Sequence, residues 1–141
     1  MDRKEFLLKA GQSAAVLILG SCFQSCSSNS SDSGIPTAPQ NVDFTLDLSK
    51  QGNAALNSVG GYVYQGGLII AKINDSTFTA LSQTCTHQGA TVDYEASATR
   101  FHCPRHGSNF DVNGNVINGP AGSPLQKYKT SLNGTMLRVF S

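Results

Sequence analysis

The chain has 141 residues, of which ten are Lys or Arg, nine are Asp or Glu and four are Cys, and its formal net charge is +1. This length accommodates one domain of about 100–150 residues with short extensions. So small a charge excludes nucleic-acid binding driven by phosphate contacts, and the absence of any apolar run of roughly 18 residues excludes a multi-spanning membrane protein.

Residues 1–21 have the layout of a secretory signal peptide. A basic start with Arg3 and Lys4 is followed by an apolar stretch at 14–19 that is too short to span a membrane. The run Leu-Gly-Ser-Cys at 19–22 resembles the bacterial lipobox, in which the cysteine is diacylated after cleavage. We therefore expect a signal peptide over residues 1–21 and a lipid anchor on Cys22. The alternatives are an ordinary signal with an incidental cysteine, or a short buried helix.

The basic start also resembles a twin-arginine export signal whose second arginine is replaced by Lys4, and the general secretory route is the alternative. Residues 22–39, rich in Ser and Asn, have the composition of a flexible linker that tethers a domain. Cys26 is expected to remain a free thiol in this linker. Removing residues 1–21 leaves seven basic and seven acidic residues, so the mature chain would be formally neutral.

From residue 40 onward the sequence consists of short β-rich runs separated by turn residues, without sustained apolar spacing at the helical period. Gly66-Gly67 and the Asn-Gly pairs at 113–114 and 133–134 are typical of hairpin turns, whose central residues need a positive φ. The runs predicted as strands are 44–48, 62–64, 68–73, 77–81, 91–94, 100–101, 110–112, 116–117 and 136–140. We therefore predict an all-β domain of antiparallel hairpins over residues 40–141.

Two predicted loops each carry a cysteine and a histidine at short spacing. The first reads CTHQG from Cys85, with His87, and the second reads CPRHGS from Cys103, with His106. The 15 residues between His87 and Cys103 are enough for a hairpin that returns the second loop to the first. Two thiolates and two imidazoles at converging loop tips form a metal site. His102 lies outside this spacing and is expected to be a strand or surface histidine rather than a ligand.

The C-x-H and C-x-x-H pair, followed by Gly-Ser, resembles the Rieske [2Fe-2S] proteins, in which two cysteines hold one iron and two histidines hold the other. The segment 118–121, Asn-Gly-Pro-Ala, with Pro-Leu at 124–125, resembles the proline loop that covers the cluster in Rieske subunits of cytochrome bc complexes. The resemblance implies a Rieske-like antiparallel sandwich or barrel with a two-loop cluster-binding subdomain. It also implies a [2Fe-2S] cofactor on Cys85, His87, Cys103 and His106. A structural zinc site and a Cys85–Cys103 disulfide are the alternatives.

The resemblance also suggests roles for residues around the ligands. Gly89 and Gly107 would let the backbone approach the cluster and point amides at sulfur. Ser108 matches the serine whose hydroxyl bonds a cluster sulfide, and Phe110 matches a position where high-potential members have tyrosine. Pro120 belongs to the proline loop.

Ala90 and Arg105 match two cysteines that form a disulfide between the loops in high-potential members, so this disulfide cannot form here. Its absence removes about 2–4 kcal/mol of constraint, and we expect a less rigid pocket. The charge of Arg105, if near the cluster, would stabilise the reduced state. We expect a potential between ferredoxin-type and respiratory values, inside the range of about −150 to +300 mV.

The three histidines lie in or beside the two loops, and no Ser/His/Asp set, nucleotide loop or mononuclear-iron triad is evident. We therefore expect an electron-transfer protein, or an oxidoreductase subunit without its own substrate site. The first expectation is a lipid-anchored, extracytoplasmic carrier of the bacterial envelope that serves a redox protein partner or a membrane oxidoreductase complex. The alternatives are a small Rieske subunit of a quinol-oxidising or arsenite-oxidase-like complex and, more remotely, a zinc-stabilised binding module.

Overall fold

The computed structural model describes Gly34 and residues 37–141. The predictions for residues 1–21, Cys22 and Cys26 lie outside these residues, as does the predicted linker at 22–39 except for Gly34 and residues 37–39. The described part of the chain forms two short 3-10 helices, Gln51–Asn57 and Ala96–Ala98, and ten strands. The strands are β1 (Asp43–Asp47), β2 (Tyr62–Gln65), β3 (Leu68–Asn74), β4 (Thr77–Ser82), β5 (Asp93–Glu95), β6 (Arg100–His102), β7 (Asn109–Phe110), β8 (Val116–Asn118), β9 (Lys127–Asn133) and β10 (Met136–Phe140).

Six strands form the larger antiparallel sheet in the order β1-β10-β9-β4-β3-β2. Side chains alternate between its faces, so that Leu137 and Val139 of β10 are buried while Met136 and Arg138 are exposed. Leu137 and Val139 share one hydrophobic core with Leu56 of the first 3-10 helix. The buried side chains of β3 and β4 that point the other way, Ile69, Ala71 and Leu81, pack in a second core. No helix within residues 37–141 is long and apolar enough to cross a membrane.

Strands β5-β6-β7-β8 form a second, smaller antiparallel sheet, which the chain inserts between β4 and β9. Its core includes Tyr94, Phe101 and Phe110, and it also contains Cys85 and Cys103. Cys85 follows β4, and Cys103 lies between β6 and β7. The insertion therefore places both cysteine loops at one end of the smaller sheet.

The prediction of an all-β antiparallel domain is confirmed, with differences at particular elements. Strand β9 was not among the predicted strands, because of its seven residues only Tyr128 is buried and the others are mostly polar. The helix Gln51–Asn57 was also missed, since it buries only Leu56 and shows no apolar stripe. The run predicted at 91–94 begins as a strand only at Asp93, and the run at 110–112 ends at Phe110.

The early end of β7 has a local cause. Asp111 Oδ1 accepts hydrogen bonds from the backbone N–H groups of Asn113 and Asn115, at 2.7 and 3.0 Å. Gly114 takes a φ of +88°, and its N–H donates to the Asp111 carbonyl. An aspartate that bonds the backbone two residues ahead favours a turn over a continued strand.

Candidate metal centre

The two cysteine loops adopt the same turn. In the first loop, the Cys85 N–H donates to Ala90 O at 2.7 Å and the Gly89 N–H donates to Cys85 O at 2.9 Å. The second loop repeats both bonds from Cys103 and Gly107, at 2.8 and 2.9 Å. Gly89 and Gly107 take φ values of +74° and +82°. Residues that carry a Cβ rarely adopt such positive φ values. The glycines noted in the sequence therefore close the two loops.

The sulfur ligands predicted from the sequence lie at the base of these loops. Cys85 and Cys103 are free thiols and both are buried in the core of the smaller sheet. Burial raises the pKa of the Cys85 thiol, and the neighbouring Cys103 thiol raises it further. Hydrogen bonds from the backbone N–H groups of His87 and Gln88 oppose this by lowering the pKa. These amides favour a negatively charged sulfur, which is the form that binds iron.

The two histidines of the motif meet at the loop tips. The Nδ1 atoms of His87 and His106 are 3.2 Å apart, and their rings cross at 85° with centroids 4.8 Å apart. Two nitrogens that each lie about 2.0–2.1 Å from one tetrahedral metal are separated by about 3.3–3.4 Å. The observed 3.2 Å is a hydrogen-bonding distance between the two imidazoles, and it is also close to the separation of two nitrogen ligands on a single metal. His106 is exposed and His87 is half-buried.

The four candidate ligands form two pairs at different depths, with the thiols buried and the imidazoles at the surface. Among the described residues, no group of three or more His, Cys, Asp or Glu side chains is arranged to hold one metal ion. A [2Fe-2S] cluster of the Rieske type takes two sulfur ligands on one iron and two nitrogen ligands on the other. A side chain added at Gly107 would meet no atom within 4 Å, so open space lies against this backbone. The residues present fit such a cluster.

Ser108 connects the second cysteine loop to the segment after β8. Its side chain is fully buried, and its Oγ accepts the Ala121 N–H at 2.9 Å. The hydroxyl proton is therefore left to donate elsewhere. Ala121 and Leu125 pack in the same core as the two cysteines. The proline loop recognised in the sequence thus lies against the cysteine loops.

The other predicted residues occupy different environments. Phe110 is fully buried in the core beneath the cysteines, whereas Arg105 and Pro120 are exposed. His102 lies on β6 and its Nδ1 is 2.8 Å from Asn109 Oδ1.

Sequence reasoning assigned no individual role to three polar residues near the site, namely Thr86, Asn109 and Asn118, although Asn118 was included in the proline loop. Thr86 Oγ1 donates to the Ser123 carbonyl at 2.6 Å, which links the first loop to the proline loop. The two asparagines bond each other beside the second loop. Only the position of Asn118 next to the Gly-Pro-Ala run hinted at such a role.

Comparison with solved structures relates this fold to known proteins. A cyanobacterial plasma membrane Rieske protein from Synechocystis PCC 6803 is 28% identical, with a TM-score of 0.51, and the match covers 67% of this chain and 92% of that one. The ferredoxin of carbazole 1,9a-dioxygenase from Nocardioides aromaticivorans IC177 is 25% identical, with a TM-score of 0.51, over 74% of this chain and 98% of that one.

Comparison of the sequence with curated proteins also finds Rieske-type relatives. The cytochrome b6-f complex iron-sulfur subunit of Chlorobaculum thiosulfatiphilum is 33% identical over 71 residues, which are 50% of this chain and 39% of the relative. This chain therefore matches about two fifths of the length of its first curated relatives. The family model described as the Rieske [2Fe-2S] domain matches residues 40–129. The resemblance seen in the two loops is confirmed, and with it a Rieske-type [2Fe-2S] cluster as the cofactor. Because this match covers well over half of its length, the chain belongs to the Rieske [2Fe-2S] domain family.

Proposed function

We propose that this protein is a lipid-anchored electron carrier on the outer side of a bacterial membrane, which passes one electron at a time between two redox proteins. Cys85 and Cys103 would hold one iron of its cluster, and His87 and His106 would hold the other. The observation that carries this proposal is the pairing of two buried thiols with two imidazoles whose Nδ1 atoms are 3.2 Å apart at the loop tips.

The bound cluster supplies reversible one-electron chemistry. The chain contributes a water-poor base to the site, because Val92, Phe101 and Phe110 are fully buried in the core that contains both cysteines. It also contributes an exposed tip, where His106 is open to a partner. An electron can therefore leave through the imidazole pair without any opening of the domain.

The tip has few charges to attract a distant partner. In the segments 86–90, 104–107 and 119–124, the single charged residue is Arg105, which is exposed. Pro104 and Pro120 are exposed beside it. We infer that docking depends on close contact with this surface more than on long-range attraction.

The place where the linker joins the domain supports a tethered arrangement. The Tyr128 hydroxyl donates to the Pro39 carbonyl at 2.7 Å, which fixes the start of the domain to β9. Ala38 lines a groove of about 270 Å³ together with Thr86 of the first cysteine loop and Pro124 of the proline loop. The linker therefore joins the domain on the side that carries the cluster loops. Sixteen residues separate Cys22 from Pro39 in the sequence. An anchor on Cys22 would therefore keep the cluster near the membrane surface.

A second candidate is a small subunit fixed in a larger complex, such as a quinol-oxidising or arsenite-oxidase-like enzyme. It is supported by the curated relatives, which are named as iron-sulfur subunits of the cytochrome b6-f complex. Purification in mild detergent separates the two candidates. A carrier is expected to elute alone, whereas a stoichiometric partner that survives purification would favour the subunit.

The cluster assignment is tested by EPR and iron analysis of the full-length protein. We expect two irons per chain and a reduced-state signal with a low average g value. Cys85→Ser and His106→Gln should each lose this signal, while Cys26→Ser should keep it. Stoichiometric zinc, or a full signal in Cys85→Ser, would overturn the assignment.

The anchor is tested separately by membrane fractionation and by incorporation of labelled fatty acid. Cys22→Ser should release the protein from the membrane and abolish labelling, whereas the neighbouring Cys26→Ser should change neither. Equal behaviour of the two variants would refute the anchor and leave the cluster assignment standing.

A further inference from the structure

Two asparagines form a hydrogen-bonded pair beside the second cysteine loop. Asn109 of β7 and Asn118 of β8 lie directly opposite each other in the register of the two strands. Asn109 Nδ2 donates to Asn118 Oδ1 at 2.7 Å, and Asn109 is only 7% exposed. His102 Nδ1 lies 2.8 Å from Asn109 Oδ1 on the other side. Each amide thus has its orientation set by a specific partner.

The pair converges on one backbone carbonyl. Gly107 O accepts a hydrogen bond from Asn118 Nδ2 at 3.0 Å and another from Asn109 Nδ2 at 3.3 Å. Asn118 Nδ2 also donates to the Gly119 carbonyl at 3.0 Å. Gly107 separates the candidate ligand His106 from Ser108. The carbonyl held by the asparagines therefore belongs to the peptide unit that leads into Ser108.

The proline loop is bonded to both cysteine loops. On the first loop, Thr86 Oγ1 donates to Ser123 O at 2.6 Å. On the second, Ser108 Oγ accepts the Ala121 N–H at 2.9 Å, and Asn118 holds the Gly107 carbonyl. The segment 118–123 thereby joins two loops that have no cysteine pair at 90 and 105 to join them directly.

We propose that Asn109 and Asn118 are positioning residues of the cluster site. By holding the Gly107 carbonyl they fix the peptide that aims the Ser108 hydroxyl, and together with Thr86 they make segment 118–123 the cross-link between the cysteine loops. This inference rests on the proposed cluster site, but it adds residues that the ligand motif does not contain.

The first test is a cycle of reduction potentials measured on four proteins: wild type, Asn118→Ala, Ser108→Ala and the double variant. A hydrogen bond from Ser108 to a sulfide favours the reduced, more negative cluster. We therefore expect Asn118→Ala to lower the potential, by no more than Ser108→Ala does, and to cause no additional shift in the Ser108→Ala background. Asn133→Ala, at an exposed end of β9, is the matched control and should leave the potential unchanged.

Two outcomes would overturn the proposal. If Asn118→Ala leaves the potential unchanged, the asparagine does not act on Ser108. If it shifts the potential equally in both backgrounds, it acts through solvent access or local polarity instead. Absence of the EPR signal in the wild type would refute the proposed cluster, which is a different failure.

The second test does not need the cluster. Hydrogen exchange of the metal-free protein reports how firmly the Ala121 amide is held by Ser108. Asn109→Ala removes part-buried hydrogen bonds, and Asn118→Ala removes exposed ones in addition to the bond between the two asparagines. Loss of about one such bond should speed the exchange of the Ala121 amide by up to about tenfold, without changing that of Leu137 in the larger sheet. Faster exchange at both amides would indicate general unfolding and count against a positioning role. An unchanged exchange rate at Ala121 would also count against it.

Discussion

Removal of the Ser108 hydroxyl tests two bonds of the site at once. The Oγ atom accepts the Ala121 N–H at 2.9 Å in a position with no solvent exposure. In the proposed site, its proton would donate to a cluster sulfur. Ser108→Ala therefore leaves one buried amide without a partner. It also removes one donor from the environment of the cluster.

The two losses have different magnitudes and readouts. An unpaired buried amide costs about 1–3 kcal/mol, so the free energy of unfolding should fall by that amount. A hydrogen bond to a charged group contributes about 1–1.5 kcal/mol more stabilisation than a hydrogen bond between neutral groups. For a one-electron couple, about 1.4 kcal/mol corresponds to 59 mV of reduction potential. We therefore expect the reduction potential to fall by about 40–65 mV.

The assays are chemical denaturation and a redox titration followed by EPR. Ser82→Ala is the matched control, because Ser82 is buried in β4 and its Oγ accepts the Thr84 N–H at 3.3 Å. The control should lose stability and keep the wild-type potential. If Ser108→Ala lowers the stability but leaves the potential unchanged, the hydroxyl proton does not point at a cluster sulfur. If the stability is unchanged, the hydrogen bond to Ala121 is contradicted.

Three further predictions concern charge, backbone and acid stability. Arg105→Gln should lower the reduction potential, because it removes a positive charge, and by less than about 60 mV, because the exposed guanidinium is screened by solvent. A shift in potential that persists at about 1 M salt would show that charge is not its cause. Gly114→Ala should lower the free energy of unfolding by more than about 3 kcal/mol, since φ is +88° and the new Cβ would lie 2.5 Å from a carbonyl oxygen. Gly134→Ala, with φ +59° and open space, should cost about 1–2 kcal/mol, and equal losses in denaturation would refute the steric argument. Burial raises the pKa of Asp111, but hydrogen bonds from Asn115 and the turn amides outweigh it and hold the pKa below its usual value. A lowered carboxyl pKa stabilises the fold above about pH 4 and loses this effect as pH falls through the folded value, so Asp111→Ala should flatten the acid limb of the stability profile.

Much of the fold was predictable from local patterns. Both Asn-Gly pairs lie at turns, although Asn133 is the last residue of β9 and only the two glycines take a positive φ. Strands β3, β4 and β10 begin or end within one residue of the predicted runs. Strand β9 was not predictable in this way, because its pairing with β4 and β10 is made by the backbone while its side chains remain mostly polar.

For the site, the sequence by itself determined the types and local spacing of the candidate ligands and the glycines that close their turns. These depend on residues within five positions of each other, so a short motif is enough to reveal them. Only the tertiary structure shows the hydrogen bonds that join Thr86 to Ser123, Ser108 to Ala121 and Asn109 to Asn118. Those contacts depend on how the smaller sheet and the proline loop fold back over the cysteines. These pairs are 37, 13 and 9 residues apart in the chain, and they meet because their segments pack around one hydrophobic core. The sequence motif of either loop does not encode such contacts.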